Sequence, residues 1–282
     1  MATPSSSARP PTGRDRGRAV LPERLPGQPR VVTALAGPGD TILSDALVHA
    51  SLIDAARLSR ARVLVHRHLD LGDLEAGLAA SRSARRRLVL TEGVFGMDGD
   101  RPDLAALAEL CARHDAVLVV DEAHAAGLCG PGGAGAWPDS GAGGATCVRV
   151  VTGGKALGAA GGLVVGSRPL CALLANRARS FVFTTAAPPA VAAGLRAAIG
   201  IVRGDAALRA RPRARATRLA RALGLGEPAA AIVPFVVGGE DEAMAAAAAL
   251  GDRFDVRAVR PPTVPAGTSR LRLVCHAHNT EP

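Results

Sequence analysis

The stretch "AVLVVDEAH", residues 116–124, is an apolar run of strand length that ends abruptly in the carboxylate of Asp121. Ligands of open parallel sheets bind beyond the carboxyl ends of the strands, so this run predicts a strand with a functional group at that edge. His124 follows three residues later and is expected to face the same pocket. The alternative is that Asp121 caps a helix and His124 lies on the surface.

Similar apolar runs alternate with amphipathic segments from about residue 31 onward, which predicts an α/β fold with a mostly parallel sheet and flanking helices. The predicted strands are "TILSD" (41–45), "RVLVH" (62–66), "RLVLTEG" (87–93), "AVLVVDEAH" (116–124), "VRVVTGG" (148–154), "GLVVG" (162–166) and "SFVFTT" (180–185). The segments "LGDLEAGLAASR" (71–82) and "RPDLAALAELCARH" (101–114) repeat apolar residues at three- and four-residue steps and are predicted crossover helices.

Domain boundaries follow from this pattern. We expect a disordered leader over 1–29, because the segment has many prolines and no apolar core of a secretory signal. A large α/β domain is predicted over 30–190, and an Ala- and Arg-rich helical linker over 191–223. A smaller α+β domain is predicted over 224–282.

The composition limits the function classes. Hydrophobic residues make up 48% of the chain but aromatic residues only 2%, so binding of nucleic-acid bases by aromatic stacking is not expected. The net charge of +9 reflects arginine-rich stretches at 14–18, 85–87 and 209–221, which predict solvated basic surfaces or an anionic substrate. No apolar run reaches the roughly 18 residues that cross a membrane. The five cysteines lack C-x-x-C or zinc spacing and indicate reduced thiols in a cytoplasmic protein.

The stretch "VVTGGKALG", residues 150–158, places Lys155 in a glycine turn after a predicted strand. Ala156 follows the lysine, so the pattern does not match a phosphate-binding G-x-x-x-x-G-K-[ST] loop. Pyridoxal phosphate (PLP) needs a lysine for a Schiff base, a carboxylate for its ring nitrogen and hydroxyl groups for its phosphate, and Lys155, Asp121 and Thr152 supply one of each. An ordinary surface lysine is the alternative.

A third motif, "RPPTVPAGTSRLRL" at residues 260–273, lies in the smaller predicted domain. Arg270 and Arg272 alternate with leucines, so one arginine face of a strand could point into the cleft between the domains and hold a carboxylate. A solvated edge strand protected by arginines is equally compatible with the pattern.

Other patterns carry no chemistry in this interpretation. The glycines of "GPGGAG", residues 130–135, follow no strand, so a dinucleotide site is not predicted. The pairs His66/His68 and His276/His278 have no acidic or cysteine partner at a metal-ligand spacing. We therefore expect surface histidines and no metal site.

Six segments together resemble the α-oxoamine synthases, a family of PLP enzymes with the aspartate-aminotransferase fold (PLP fold type I). They are "LVHASLIDAARLS" (47–59), "TEGVFGMDGD" (91–100), "VVDEAHAAGLCGPGGAG" (119–135), "VVTGGKALG" (150–158), "FTTAAPPA" (183–190) and "RPPTVPAGTSRLRL" (260–273). The resemblance covers residues 30 to 275 in order. It is most specific to the branch that condenses L-alanine with pimeloyl-CoA or pimeloyl-acyl carrier protein.

The resemblance implies roles for residues of the cofactor pocket. Lys155 would carry the cofactor and later move the α-proton of the substrate. Asp121 would pair with the ring nitrogen, and His124 with the phenolic oxygen. His49 would stack on the opposite face of the ring, and Thr152 would bind the phosphate.

It implies further roles at the pocket margin. Thr184 or Thr185 would bind the phosphate from near a subunit boundary, since the family's site is shared by two chains of a homodimer. Glu92 lies in a pocket segment, Thr263 would lie on the substrate side, and Arg272 would hold the amino-acid carboxylate.

The sequence also departs from the family. Gly96 stands where the family usually has a serine, and the resemblance implies that the N-terminal third and the C-terminal end of the family's fold lie outside this sequence. Both domains are therefore expected to be incomplete. Two alternatives remain. One is a related enzyme of the glycine C-acetyltransferase or 5-aminolevulinate synthase type, and the other is a non-catalytic remnant. No nucleic-acid or membrane partner is expected.

Overall fold

The computed structural model describes residues 18–21, 27–183, 185 and 187–280. They form a large α/β unit around a seven-stranded sheet and a smaller unit around a three-stranded antiparallel sheet. The strands are β1 Arg18–Leu21, β2 Thr41–Asp45, β3 Arg62–His66, β4 Arg87–Glu92, β5 Ala116–Asp121, β6 Cys147–Thr152, β7 Gly162–Val165, β8 Ile232–Gly238, β9 Arg257–Val259 and β10 Ser269–Val274. The predicted fold class is confirmed.

Helices connect and cover these strands. They are α1 Gly27–Leu35, α2 Ala50–Ser59, α3 Leu71–Ala80, α4 Leu104–Arg113, α5 Ala136–Asp139, α6 Arg168–Arg177, α7 Arg179–Val182, α8 Pro189–Gly204, α9 Ala206–Ala222 and α10 Glu240–Leu250. The two predicted crossover helices are confirmed, and each begins after an aspartate that caps it. Asp70 accepts the N–H of Asp73 in α3, and Asp103 accepts the N–H groups of Ala105 and Ala106 in α4.

The large sheet has the strand order β1-β7-β6-β5-β4-β2-β3. Strands β2 to β6 run parallel, whereas β7 is antiparallel to both of its neighbours, β6 and β1. The ends of β2, β4, β5 and β6 therefore lie along one side of the sheet, which we term the carboxyl edge. This edge is where the sequence predicted a pocket.

Both faces of the central strands are buried, which explains why they read as continuous apolar runs. In β4, Leu88 and Leu90 lie in one hydrophobic cluster with α1 and α2, while Val89 lies in a second cluster with α3 and α4. Covered faces of this kind are typical of parallel sheets. The acidic residues Glu92 and Asp121 lie at the ends of β4 and β5.

One predicted strand is wrong. Of the predicted strand "SFVFTT" (180–185), the described residues 180–183 and 185 do not form a strand, and α7 occupies Arg179–Val182 instead. Thr184 lies outside the described residues. The β-branched and aromatic composition favours a strand, but the preceding strand β7 already pairs with β6 on one side and β1 on the other. Helix α7 packs against α6 and α1, and Phe183 is left 74% exposed.

The structure also differs from the expected leader. Strand β1 and the start of α1 at Gly27 lie inside the segment 1–29 that was expected to be disordered. Pairing with β7 explains the order of β1, because it satisfies main-chain groups at the edge of the sheet. The single predicted helical linker is interrupted at Asp205, which caps α9 by accepting the N–H of Leu208.

In the smaller unit, β10 is the central strand between β8 and β9, and α10 packs against this sheet. Strand β10 is thus not the solvated edge strand that the sequence left open as an alternative. Across the described part of the chain, none of the helices combines the length and the apolar character needed to cross a membrane.

Candidate active site

The carboxyl edge brings together the residues that the sequence singled out. Asp121 ends β5 and is 3% exposed, and Thr152 ends the neighbouring strand β6 and is half-buried. Lys155 lies in the turn that follows β6, where its carbonyl accepts the N–H of Gly158 at 2.9 Å. Three residues that are up to 34 positions apart in the sequence therefore meet at the ends of two adjacent strands.

Lys155 contacts His124 directly, since its Nζ lies 2.7 Å from Nε2 of the imidazole. An ammonium group can only donate, so Nε2 accepts this bond while Lys155 is protonated. Lys155 is also the only lysine among the 34 Lys and Arg residues of the chain. Arginine cannot replace lysine where an uncharged amine is needed, so the presence of a single lysine itself points to Lys155. The sequence motifs alone do not reveal this signal.

The electrostatics of the site keep the histidine neutral. Burial, together with the positive charges of Lys155 and Arg272, lowers the pKa of His124 to about 3. Partial removal from water lowers the pKa of Lys155, although the carboxylate of Asp121 opposes this shift. A neutral imidazole therefore lies against an amine that loses its proton more readily than an ordinary lysine.

Glu92 ends β4 beside Asp121 and is 3% exposed. Its Oε1 accepts the N–H of His49 at 2.6 Å, and its Oε2 accepts that of Gly96 at 3.3 Å. Burial and the neighbouring Asp121 carboxylate raise the pKa of Glu92 to about 8. Glu92 is thus mostly protonated at neutral pH, which leaves Asp121 as the negative group of the pair.

The arginines of β10 join the smaller unit to the turn at residues 95–100. Arg272 donates from Nε to the carbonyl of Gly96 at 2.6 Å, and Arg270 forms a salt bridge with Asp98. Arg270 is buried and Arg272 is half-buried, so the arginine face points toward the large unit rather than into solvent. Burial lowers the pKa of Arg272.

The remaining predicted site residues are not gathered in this way. His49 is exposed and caps the start of α2. Its Nδ1 lies 2.8 Å from the Ser51 hydroxyl, and its backbone N–H donates to Glu92. Thr263 is exposed, and its backbone N–H donates to the carbonyl oxygen of Arg260. Thr185 is exposed, and Thr184 lies outside the described residues.

Glu122 is a buried residue whose position the sequence motifs did not reveal. It is 0% exposed, and its two oxygens accept the N–H groups of Ala136 at 2.7 Å and Trp137 at 2.9 Å. Arg149 on β6 lies 3.7 Å from the same carboxylate. A Cβ atom on Gly135 would approach the carboxylate to 2.6 Å, so this glycine makes room for it. Glu122 therefore holds the glycine-rich segment against the sheet.

The expectation that His66 and His68 are surface residues is wrong. His66 is buried, and His68 bridges two carboxylates, with Nδ1 2.8 Å from Asp45 and Nε2 2.8 Å from Asp100. Partial burial lowers the pKa of His68, but these carboxylates outweigh it, so the net shift is upward. The ring also packs edge-on against Phe95. Its partners are distant in sequence, which is why spacing alone did not reveal them.

Comparisons with known proteins show what this chain is similar to. The family model described as aminotransferase class I and II matches residues 29–282. An 8-amino-7-oxononanoate synthase of Anaeromyxobacter dehalogenans (strain 2CP-C) is 48% identical over 254 residues, which are 88% of this chain and 64% of that relative. An 8-amino-7-oxononanoate synthase of Paracidovorax citrulli (strain AAC00-1) is 47% identical over 265 residues, which are 89% of this chain and 64% of that relative.

A solved structure extends the similarity to the fold. The serine palmitoyltransferase from S. paucimobilis, solved with bound PLP, superposes with a TM-score of 0.87 at 30% identity, and covers 94% of this chain and 68% of that one. Against the curated relatives that it matches, the chain spans about 64% of their length.

Proposed function

The chain belongs to the aminotransferase class I and II family, and we propose that it is a PLP-dependent acyltransferase that condenses L-alanine with a pimeloyl thioester. The product would be 8-amino-7-oxononanoate, a step of biotin biosynthesis, formed with loss of CO2. The observation that carries this proposal is the contact of the single lysine, Lys155, with His124 beside the buried carboxylate of Asp121. The naming of relatives at 47–48% identity supports the choice of substrates.

The chemistry of these side chains fits the ring end of PLP. Lys155 provides an amine with a lowered pKa, Asp121 a buried carboxylate and His124 a neutral imidazole, all at one edge of the sheet. We assign phosphate binding to Thr152 and propose the same for Thr184 and Thr185. When bound, the cofactor supplies an electron-withdrawing ring that stabilises negative charge at the α-carbon of the amino acid.

The chain's own groups would then have distinct tasks. The amine of Lys155 would hold the cofactor and, once displaced by L-alanine, take the α-proton on Nζ. Asp121, the charged member of its carboxyl pair, would keep a proton on the ring nitrogen. His124 would bind the phenolic oxygen and orient Lys155, and His49 would cover the opposite face of the ring.

Substrate binding is assigned to the cleft between the two units. Arg272 uses Nε for Gly96, and its remaining N–H donors suit a carboxylate such as that of L-alanine. Glu92 and Thr263 are proposed to line the substrate side. The net charge of +9 favours an anionic carrier, either CoA or an acyl carrier protein.

Two alternatives are separated by experiment. Another α-oxoamine synthase would use the same Lys155, His124 and Asp121 with glycine and a different acyl thioester. A non-catalytic remnant would bind cofactor without turnover. We also propose that the chain acts in the cytoplasm as a homodimer, and the five free cysteines support a reducing compartment.

The proposal predicts that carboxyl-labelled L-alanine releases its label as CO2 only when pimeloyl-CoA and PLP are both present. A Lys155→Ala variant should release none above background, because no other side chain of the protein carries a primary amine. Faster release from labelled glycine with acetyl-CoA or succinyl-CoA would favour the related synthases. Cofactor binding without any release would favour the remnant.

A further inference from the structure

The turn at residues 95–100 is bonded to both arginines of β10. The carbonyl of Gly96 accepts the Nε–H of Arg272 at 2.6 Å, and Asp98 forms a salt bridge with Arg270. The guanidinium group is rigid and planar, so a bond at Nε restricts the directions in which the other N–H groups of Arg272 can point. The orientation of Arg272 therefore depends on where the turn holds the carbonyl of Gly96.

His68 ties this turn to the end of β2. Its Nε2 lies 2.8 Å from Oδ2 of Asp100 in the turn, and its Nδ1 lies 2.8 Å from Oδ1 of Asp45 on β2. Asp45 is a fixed anchor, because it is 2% exposed and its two oxygens also accept the N–H groups of Leu47 and Leu69. Ionised carboxylates only accept hydrogen bonds, so both ring nitrogens of His68 donate. The imidazole thus links a rigid strand end to the turn.

Bonds within the turn carry the position of Asp100 to Gly96. The N–H of Phe95 donates to the carbonyl of Asp100 at 3.0 Å, and the N–H of Gly99 donates to the carbonyl of Phe95 at 2.9 Å. The ring of His68 also packs edge-on against Phe95, with the ring centroids 4.5 Å apart. His68 therefore contacts both ends of the closed turn that contains Gly96.

We propose that His68 is a positioning residue, which fixes the turn and thereby orients Arg272 toward a carboxylate. It acts through its bond to Asp100 and through the bond from Arg272 to the carbonyl of Gly96. Glu92 also reaches the turn, but its bond from the N–H of Gly96 is longer, at 3.3 Å. The importance of this orientation for L-alanine rests on the proposed function, whereas the bonds themselves exist without cofactor or substrate.

The first test cuts the link at Asp100 in the cofactor-free protein. The side chain of Asp100 is 37% exposed, so Asp100→Ala opens no deep cavity, and His68 keeps its bond to Asp45. The measurement is the solvent exchange of the Nε–H of Arg272, followed by NMR and assigned by the loss of its signal in Arg272→Lys. Asp100→Ala should speed this exchange by roughly tenfold, because the acceptor carbonyl is no longer held in place.

Two controls show whether the effect is local. The Nε–H of Arg85, which donates to Asp40 at 2.9 Å, should exchange at the same rate in the variant and in the parent protein. Asp139→Ala removes an aspartate of similar exposure, 43%, that pairs with Arg101 directly after the turn, and it should leave the exchange of Arg272 unchanged. An unchanged rate at Arg272 in the test variant, or an equal rise at Arg85, would overturn the proposal.

The second test asks whether His68 acts through Asp100. His68→Gln should also speed the exchange of Arg272, because the single amide of glutamine does not bridge both carboxylates. In the Asp100→Ala background the same change should add less than about twofold, since the link is already cut. Equal factors in the two backgrounds would overturn the proposal. If Asp100→Ala does not fold, His68→Gln alone, compared with the signal of Arg85, decides the matter.

The third test measures turnover with both substrates. Asp100→Ala should raise the KM for L-alanine by roughly fivefold, while kcat and the KM for pimeloyl-CoA change by less than about twofold. An unchanged KM for L-alanine in an active protein would overturn the proposal. If the parent protein does not turn over L-alanine at all, the proposed function fails, while the exchange of Arg272 still decides whether His68 positions that arginine.

Discussion

Replacing Glu122 by alanine is expected to lower the free energy of unfolding by about 3–5 kcal/mol. The carboxylate is fully buried, accepts the N–H groups of Ala136 and Trp137, and lies 3.7 Å from Arg149. Alanine would leave both N–H groups without their acceptor, remove the carboxylate from beside a buried guanidinium, and open a cavity. Chemical denaturation followed by circular dichroism measures the change.

A matched substitution shows whether the loss of stability is specific to Glu122 or follows from removing any glutamate that faces an arginine. Glu75 also faces an arginine, Arg113 at 3.0 Å, but both side chains are about half exposed. Glu75→Ala should therefore change stability little, because water screens exposed ion pairs. Equal effects of the two alanine substitutions would show that Glu122 does not hold the glycine-rich segment.

The second large effect concerns Glu92 and depends on pH. Its pKa is raised from 4.5 to about 8, so between these values the folded protein keeps a proton that the unfolded chain releases. The stability that this carboxyl group contributes is complete below about pH 4.5 and is lost as the pH rises through 8. Between these pH values the contribution of this group to the free energy of unfolding falls by about 1.4 kcal/mol per pH unit.

Glu92→Gln removes this titration while keeping an acceptor for the N–H of His49. Relative to the parent protein, the free energy of unfolding of the variant should rise by roughly 3–4 kcal/mol between pH 5 and pH 8, measured by denaturation at both values. Glu109→Gln, at an exposed position of α4, serves as the control and should show no such gain. If the free energies of unfolding of the Glu92 variant and the parent protein differ by the same amount at both pH values, Glu92 is not protonated in the folded protein.

Much of the carboxyl edge was predictable because parallel strands obey simple rules. Central strands buried on both faces must be apolar, so a charged residue at the end of such a run marks the carboxyl edge. Asp121 and Lys155 were placed together on that basis, and the structure has their strands adjacent. The same reasoning failed for the described residues 180–183 and 185, because local composition does not reveal that β7 already has two neighbours.

Contacts between distant segments were not predictable from spacing. His68 finds its carboxylates 23 and 32 residues away, and the bond between Arg272 and Gly96 exists only in three dimensions. Glu122 lies within the predicted motif, yet its partners are 14 and 15 residues further along the chain. The single lysine is the exception, because a count of residue types reveals it directly.

We propose that Lys155 holds PLP, and reductive trapping with borohydride decides whether it does. The protein is incubated with PLP, reduced with borohydride and digested, and the peptides are analysed by mass spectrometry. We expect a visible absorbance band before reduction and a phosphopyridoxyl mass increment on the peptide that contains Lys155, with both absent in Lys155→Ala. Because the chain has one lysine, the only other primary amine is the N-terminus. Labelling confined to the N-terminus, or equal absorbance in Lys155→Ala, would show that Lys155 does not hold PLP.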